Sequence, residues 1–263
     1  MESGLRGKVA LITAASKGIG KAVAEALASE QCKVAICSRT KSDLVEASKV
    51  IKEKYSVDPL WCICDLNKNS DIERTFEATV KEYGKVDILV NNCGGPVPGY
   101  FSELEEKDWD NAYDQVLMSV VRFSKLVLPD MMNNEWGRII NVTSISVKQP
   151  IDNLMLSNSL RAGVIGFAKS LSTEVGKHNI TVNNVAPGLT LTHRLYELAV
   201  LEGKENNKSH EEVLADMAKR VPMHRLAGPE EIASVVLFLA SKQASYVTGT
   251  TIQVDGGFTK GLM

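Results

Sequence analysis

The chain has 263 residues, 44% of them hydrophobic and 24% charged, with a formal net charge of −2. That balance leaves no electrostatic footprint for nucleic acid or an anionic membrane, and no apolar run approaches the roughly 18 residues of a membrane span. With no charge-flanked apolar leader, residues 1–263 are expected in the cytoplasm as one globular α/β domain.

The first expected strand, Lys8-Val-Ala-Leu-Ile12, runs into the small-residue turn Thr13-Ala-Ala-Ser-Lys-Gly-Ile-Gly20. Apolar residues then recur at Ile19, Val23, Ala26 and Leu27, the spacing of a helix packed on a sheet. This reads as strand, phosphate loop, helix. Gly18 and Gly20 let a pyrophosphate approach the backbone, and the free N–H groups of the positive helix end attract it. By itself such a turn is equally an ordinary strand-to-helix connection, so the reading needs support from the rest of the chain.

Residues 33–38 form a second apolar strand, closed by Arg39. In a dinucleotide fold this end meets the adenosine ribose, where an acidic residue binds a 2′-hydroxyl and a basic one a 2′-phosphate. Ser38 and Arg39, with Lys17 in the phosphate loop, favour NADP(H) over NAD(H). The alternative is two solvated surface cations.

Residues 41–54 read as an amphipathic helix, 60–64 as a strand ending at Asp65 and Leu66, and 70–83 as a helix. A buried strand at 86–90 enters Asn91-Asn-Cys-Gly-Gly-Pro-Val-Pro-Gly99, a Gly- and Pro-rich loop of the kind that borders a ligand in a doubly wound sheet. One long helix is expected over 108–134, a strand at 137–142, a second long helix over 156–177, and a strand at 180–185 ending at Pro187-Gly188. Residues 193–222 are polar and helical, an excursion or lid over the site. A helix at 230–239 and a strand at 250–254 close the chain before Asp255-Gly-Gly257. The alternation predicts a parallel sheet of about seven strands with helices on both faces.

Five cysteines, at 32, 37, 62, 64 and 93, lie in or at the ends of predicted strands, with Cys62 and Cys64 sharing a face. The four histidines are scattered, so free core thiols in a reducing compartment are expected and no metal site.

Thr13 through Gly20, Asp65-Leu66, Asn91 through Gly94, Asn141-Val-Thr-Ser144, Pro187-Gly188 through Thr192, and Asp255-Gly-Gly257 resemble the short-chain dehydrogenases/reductases, and within them the 3-oxoacyl-carrier-protein reductase branch. The resemblance covers essentially the whole chain in order. It implies a Rossmann-type fold, NAD(P), hydride transfer between carbonyl and alcohol on a small molecule, and a homo-oligomer, dimer or tetramer. It places the cofactor on Thr13, Ala14, Ser16, Lys17, Gly18, Ile19, Gly20, Ser38, Arg39, Asp65, Leu66, Asn91, Asn92, Cys93, Gly94, Arg161, Pro187, Gly188, Thr190 and Thr192.

The departures carry equal weight. The family normally has Gly where this chain has Ala14, which is unstrained if its φ is negative and strained if positive. Cys93 stands where Ala is usual. The catalytic Ser falls on Ser144. The Tyr-x-x-x-Lys motif, in the register set by Ala162-Gly-Val-Ile-Gly-Phe167, lands on Ser157 and Arg161, and the Asn of the tetrad on Val116. Asn158 and Gln115 are each one position away, about 100° around the helix. No Tyr occurs from 114 to 195.

Ser157 and Arg161, at i and i+4, share a helix face. An aliphatic hydroxyl is a far poorer proton donor than a phenol flanked by a lysine cation, and arginine keeps its proton, so Arg161 can hold a ribose or an oxyanion without relaying protons. Loss of the general acid removes about 10²–10⁴-fold in rate and leaves polarisation by Ser144 and Arg161. Lys148 is the candidate substitute acid, with a solvated loop lysine as the plain alternative. Tyr100, Tyr196, His193 and His210 are weaker candidates. Leu195, Leu198, Leu201, Leu214 and Met217 are expected to pack the lid. Three readings stand: an NADP(H)-dependent oxidoreductase with a divergent active site, a catalytically impaired pseudoenzyme that binds nucleotide or scaffolds, and a different reaction on the same cofactor. Apolar residues Val120, Phe123, Val127, Ile165, Phe167 and Leu171 on the two long helices are read as surface for oligomer pairing.

Overall fold

The computed structural model describes residues 2–261; Met1, Leu262 and Met263, which the single-domain expectation includes, lie outside the described residues. Seven parallel strands form one sheet in the order β3-β2-β1-β4-β5-β6-β7. They are β1 (Val9–Ile12), β2 (Lys33–Ser38), β3 (Leu60–Ile63), β4 (Ile88–Asn91), β5 (Gly137–Val142), β6 (Ile180–Pro187) and β7 (Thr251–Val254). Every residue of β1, β4, β5 and β6 is buried, whereas the edge strands β3 and β7 are partly open, as expected when helices cover both faces of a parallel sheet.

Strand alternation sorts the core into two layers. Ala10, Ile12, Val34, Ile36, Ile88, Val90 and Ile140 face α1 (Gly18–Ser29), α2 (Lys41–Tyr55) and α9 (Pro229–Ala240). Leu11, Ala35, Cys37, Leu89 and Ile139 face α3 (Asn69–Tyr83), α5 (Ser119–Asn133) and α6 (Met155–Val175). The chain order reverses direction at β1 and β4, so their carboxyl ends open the crevice where such sheets bind ligands.

Helix ends follow local chemistry. Gly84, at φ 85°, closes α3 in the left-handed conformation that glycine takes without strain. Pro229 opens α9, and the Glu231 carboxylate accepts the Gly228 N–H at 2.9 Å. The segment expected as an excursion or lid, 193–222, holds two helices, α7 (His193–Asn206) and α8 (His210–Arg220), the latter started by a reciprocal Ser209–Glu212 capping box.

Four expectations are corrected. The helix predicted over 108–134 begins earlier, as α4 (Glu106–Ala112), and passes through a π-helical turn (Tyr113–Met118) before α5. An extra residue in that turn re-aims the side chains after it, which periodicity does not reveal. Val120, Phe123, Val127 and Leu171 are consumed by the chain's own core and offer no free pairing surface. Leu201 is 44% exposed, whereas Leu195 and Met217 are buried as expected, with Leu214 packed against them, and Ala199 and Val213 complete the cluster. Cys64 lies just beyond β3, buried against Cys37, while Cys62 is half-buried. All five cysteines are free. Burial pushes the Cys32 thiol up to about 12, with the Glu30 charge adding to it.

Candidate active site

At the carboxyl end of β1 the chain turns through Thr13–Lys17 into α1. Thr13 Oγ1 donates to Asn92 O at 2.6 Å and accepts from Asn92 N at 2.8 Å, stapling the ends of β1 and β4 together. Asn92 Nδ2 donates back to Thr13 O and Ala14 O, at 3.3 and 3.1 Å. Ala14 has φ 47°, so the strained alternative is the one realised; the Asn92 amide is what holds it there. Gly20 is required by contact. A Cβ on it would sit 2.4 Å from Ala14 O, 2.8 Å from Asn92 Nδ2 and 2.9 Å from Ala15 Cα. Gly18, at φ 55°, faces the Thr192 methyl. No side chain caps the first amides of α1, which leaves them free for an anion.

The ribose end is only partly as expected. Ser38 Oγ is buried and has no hydrogen-bond partner, and Arg39 is exposed. Lys17, however, pairs with Asp43 at 2.9 Å, which diverts it from a free phosphate-binding role. Asp65 receives Asn67 N on Oδ1 and donates its own N–H to Asp71, holding the Asp71 carboxyl below its ordinary range. Leu66 is core and Ile19 packs against the core, while Ser16 is half-buried in the loop.

Across the middle of the sheet runs a buried amide ladder that the sequence reading missed. Asn91 Nδ2 donates to Asn141 Oδ1, and Asn141 Nδ2 to Asn184 Oδ1, both at 2.9 Å. The three sit in register on β4, β5 and β6. Beyond it, Pro187 and Gly188 lead into Thr190 and Thr192; Thr190 Oγ1 donates to Gly188 O, and Thr192 caps α7 by accepting Leu195 N at 3.3 Å.

Ser144, two residues past β5, accepts the Ser146 N–H on Oγ at 3.1 Å, so its own O–H remains available as a donor. A single 3₁₀ turn (Ile145–Val147) comes next, and Lys148 ends it, half-buried and in no ion pair among the described residues. Ser157 lies on the first turns of α6, 6% exposed, with Oγ 3.4 Å from Ser146 Oγ. Arg161, one turn on, is equally buried. Its Nη1 donates to Val142 O and Thr143 O, each at 3.1 Å, and its Nη2 reaches Cys93 Sγ at 3.7 Å. Its Nε has no partner. Asn158 turns the other way and bonds both backbone groups of Ile151, and Gln115 donates to Gly94 O, so neither joins the Ser144 group.

A cavity of about 10 Å³, room for about one water, lies behind this group between Asn91, Cys93, Val116 and Arg161. A larger cavity, about 920 Å³, runs beside α7 along α1 and α9 and is lined at one end by Gly18 and Thr192; Ser144, Ser157 and Arg161 do not line it. Of the weaker candidates, Tyr196 and His210 stack edge-to-face at 4.6 Å within the lid, His193 pairs with Glu197 at 3.3 Å, and Tyr100 is 55% exposed.

Arg194 was not singled out from the sequence. From the first turn of α7 it donates through Nη2 to Pro96 O at 2.7 Å, lying against Gly95, and so ties α7 to the loop after β4. Burial, more than the neighbouring Arg161 charge, lowers its pKa.

Comparison with known proteins gives a consistent setting. Residues 13–259 match the family described as enoyl-(acyl carrier protein) reductase. The chain is 39% identical to the 3-oxoacyl-[acyl-carrier-protein] reductase FabG of Vibrio cholerae serotype O1 over 255 residues, 96% of this chain and 98% of that one. Its structure is similar to that of L-sorbose reductase from Gluconobacter frateurii complexed with NADPH and L-sorbose (TM-score 0.95, 35% identity, all of both chains). A variant of actinorhodin polyketide ketoreductase with NADPH is also similar (TM-score 0.93, 33% identity, 97% of this chain and 98% of that one). No helix among the described residues is long and apolar enough to cross a membrane.

Proposed function

Because the chain belongs to the short-chain dehydrogenase/reductase family, we propose that it transfers hydride between NADP(H), used in preference to NAD(H), and the carbonyl or alcohol carbon of a small to mid-sized molecule, with atypical catalytic residues. The observation that carries this reading is Ser144, whose oxygen is already satisfied by Ser146 N and whose O–H is free at the carboxyl end of β5, beside the loop after β4. The cofactor cradle fits the same reading: Gly20 admits no Cβ, the α1 amides are uncapped, and Ser38 Oγ is buried without a partner next to the exposed Arg39.

NADP(H), when bound, supplies the hydride. Gly18, Gly20 and the α1 amides would hold its pyrophosphate, Ser38 and Arg39 its 2′-phosphate, and Asn92, Gly94, Pro187 and Thr192 would border it. Ser144 donates its O–H to the substrate oxygen and so polarises the carbonyl. Arg161, its Nη1 committed to two backbone carbonyls, anchors the end of β5 and brings positive charge there. Ser157 and Arg161 occupy the positions of the family's Tyr and Lys, and the Ser157 hydroxyl is buried against Ser146. The proton then comes from Lys148 at the end of the 3₁₀ turn. A second reading, an impaired enzyme that binds nucleotide without turnover, is favoured by the buried Ser157.

The test is a fluorescence titration with NADPH and, separately, NADH, followed by a carbonyl screen. Tighter NADPH binding, lost on Arg39→Ala, supports the cofactor reading; no binding of either up to millimolar concentrations overturns it. Turnover that Ser144→Ala and Lys148→Ala both leave unchanged overturns the catalytic assignment. NADPH binding with no turnover across the screen favours the impaired enzyme.

A further inference from the structure

Two guanidinium groups converge on one short loop. Arg161 reaches Cys93 from inside the protein, and Arg194 reaches Pro96 from the lid, three residues further along the same segment. The approach of Arg194 is close. Its Nε, Nη2 and Cζ lie 2.9, 3.2 and 3.3 Å from where a Cβ on Gly95 would be, so the glycine is what admits it. This segment continues β4, the neighbour of β5 in the sheet, and β5 carries Ser144 just past its end.

The charge there is poorly compensated. Arg161 has only neutral partners, two backbone carbonyls and a thiol, and its buried Nε has none. Arg194 has one carboxylate within reach, Glu197 at 3.8 Å, which is half-exposed and shared with His193 at 3.3 Å. A buried guanidinium such as Arg161, with no carboxylate partner, favours an anion beside it, and the planar, partly exposed guanidinium of Arg194 matches a carboxylate in a bidentate fork.

We infer that the substrate of this site carries a carboxylate, held by Arg194 in the background charge of Arg161, so that the reacting molecule is an oxo acid or the corresponding hydroxy acid. This rests on the oxidoreductase reading above and narrows its substrate class. Arg194 acts as a specificity residue. The same side chain bridges α7 to the loop after β4.

The experiment is calorimetric titration of the protein saturated with NADP⁺, using three acids (2-oxobutyrate, acetoacetate and phenylpyruvate) each against its methyl ester. At least one acid is expected to bind about tenfold or more tightly than its ester, the scale of one charge-assisted contact. Arg194→Met should bring that ratio close to one with the NADP⁺ affinity unchanged, and Arg194→Lys should retain part of it; thermal melts confirm that both variants fold. Equal binding of acid and ester in all three pairs overturns the inference, as does a preference that survives Arg194→Met. A loss of NADP⁺ affinity in Arg194→Met with the acid preference intact also overturns it and assigns Arg194 to the cofactor. If NADP⁺ itself does not bind, the oxidoreductase reading fails separately, and the same acid and ester pairs titrated without cofactor decide the carboxylate preference.

Discussion

Replacing Gly20 by alanine tests whether the phosphate loop is held as tightly as its geometry implies. The added Cβ would meet the Ala14 carbonyl oxygen at 2.4 Å and the Ala15 Cα at 2.9 Å, both backbone atoms, besides the Asn92 amide at 2.8 Å. The helix cannot retreat, because α1 packs Val23, Ala24 and Leu27 into the core. The Ala14 carbonyl must therefore move by more than half an ångström, and it is the atom that Asn92 Nδ2 holds at 3.1 Å. Overpacking of this kind costs about 1–3 kcal/mol. The strained hydrogen bond adds about 1 kcal/mol. Alanine's helix propensity returns about 0.8–1.0 kcal/mol, leaving a net loss of about 1–3 kcal/mol. At fixed protein concentration that corresponds to a fall in Tm of about 2–10 °C, and urea unfolding gives the free energy directly. NADPH affinity should fall at least about tenfold, since the loop amides move with the carbonyl. A Gly20→Ala protein within about 0.5 kcal/mol of the parent, binding NADPH equally well, would refute the reasoning.

Gly166→Ala on α6 is the matched control: a Cβ there meets nothing within 4 Å, so only propensity acts, and stability should rise by about 0.8–1.0 kcal/mol in urea unfolding. The Arg225 fork, at 2.7 Å on each oxygen, helps hold the Glu231 carboxyl down at about 2 from an ordinary 4.5, with the Gly228 N–H as a second contributor. A depressed carboxyl stabilises the fold above its unfolded value and loses that contribution as pH falls from about 4.5 towards 2, so Glu231→Gln should flatten the acid side of the Tm–pH curve; an unchanged curve would count against the pair. Cys32, pushed up to about 12 from 9, should alkylate about 10³-fold more slowly in the native protein at pH 8 than when unfolded, followed by mass spectrometry; labelling at the unfolded rate would show that the site opens readily.

Much of the architecture is local information. Apolar runs and helical spacing are written in neighbouring residues, so about seven strands and the helices between them could be read in order, and the glycine-rich turn after β1 was legible because Gly18 and Gly20 lie seven residues or fewer from Thr13. What escaped is set by partners far along the chain. The positive φ of Ala14 depends on an amide 78 residues away, and the rungs of the asparagine ladder are 50 and 43 residues apart. Lys17 faces a 2′-phosphate or an Asp43 carboxylate according to how α1 and α2 pack, and packing gave it Asp43. Arg194 crosses 98 residues to reach Pro96, so its place beside Arg161 exists only once α7 has packed against the loop after β4. Sequence alone determined that a parallel sheet with helices on both faces would form, because apolar runs, helical spacing and turn chemistry act between neighbours; tertiary structure decided which charges meet at the crevice, because that depends on where distant helices bring their side chains.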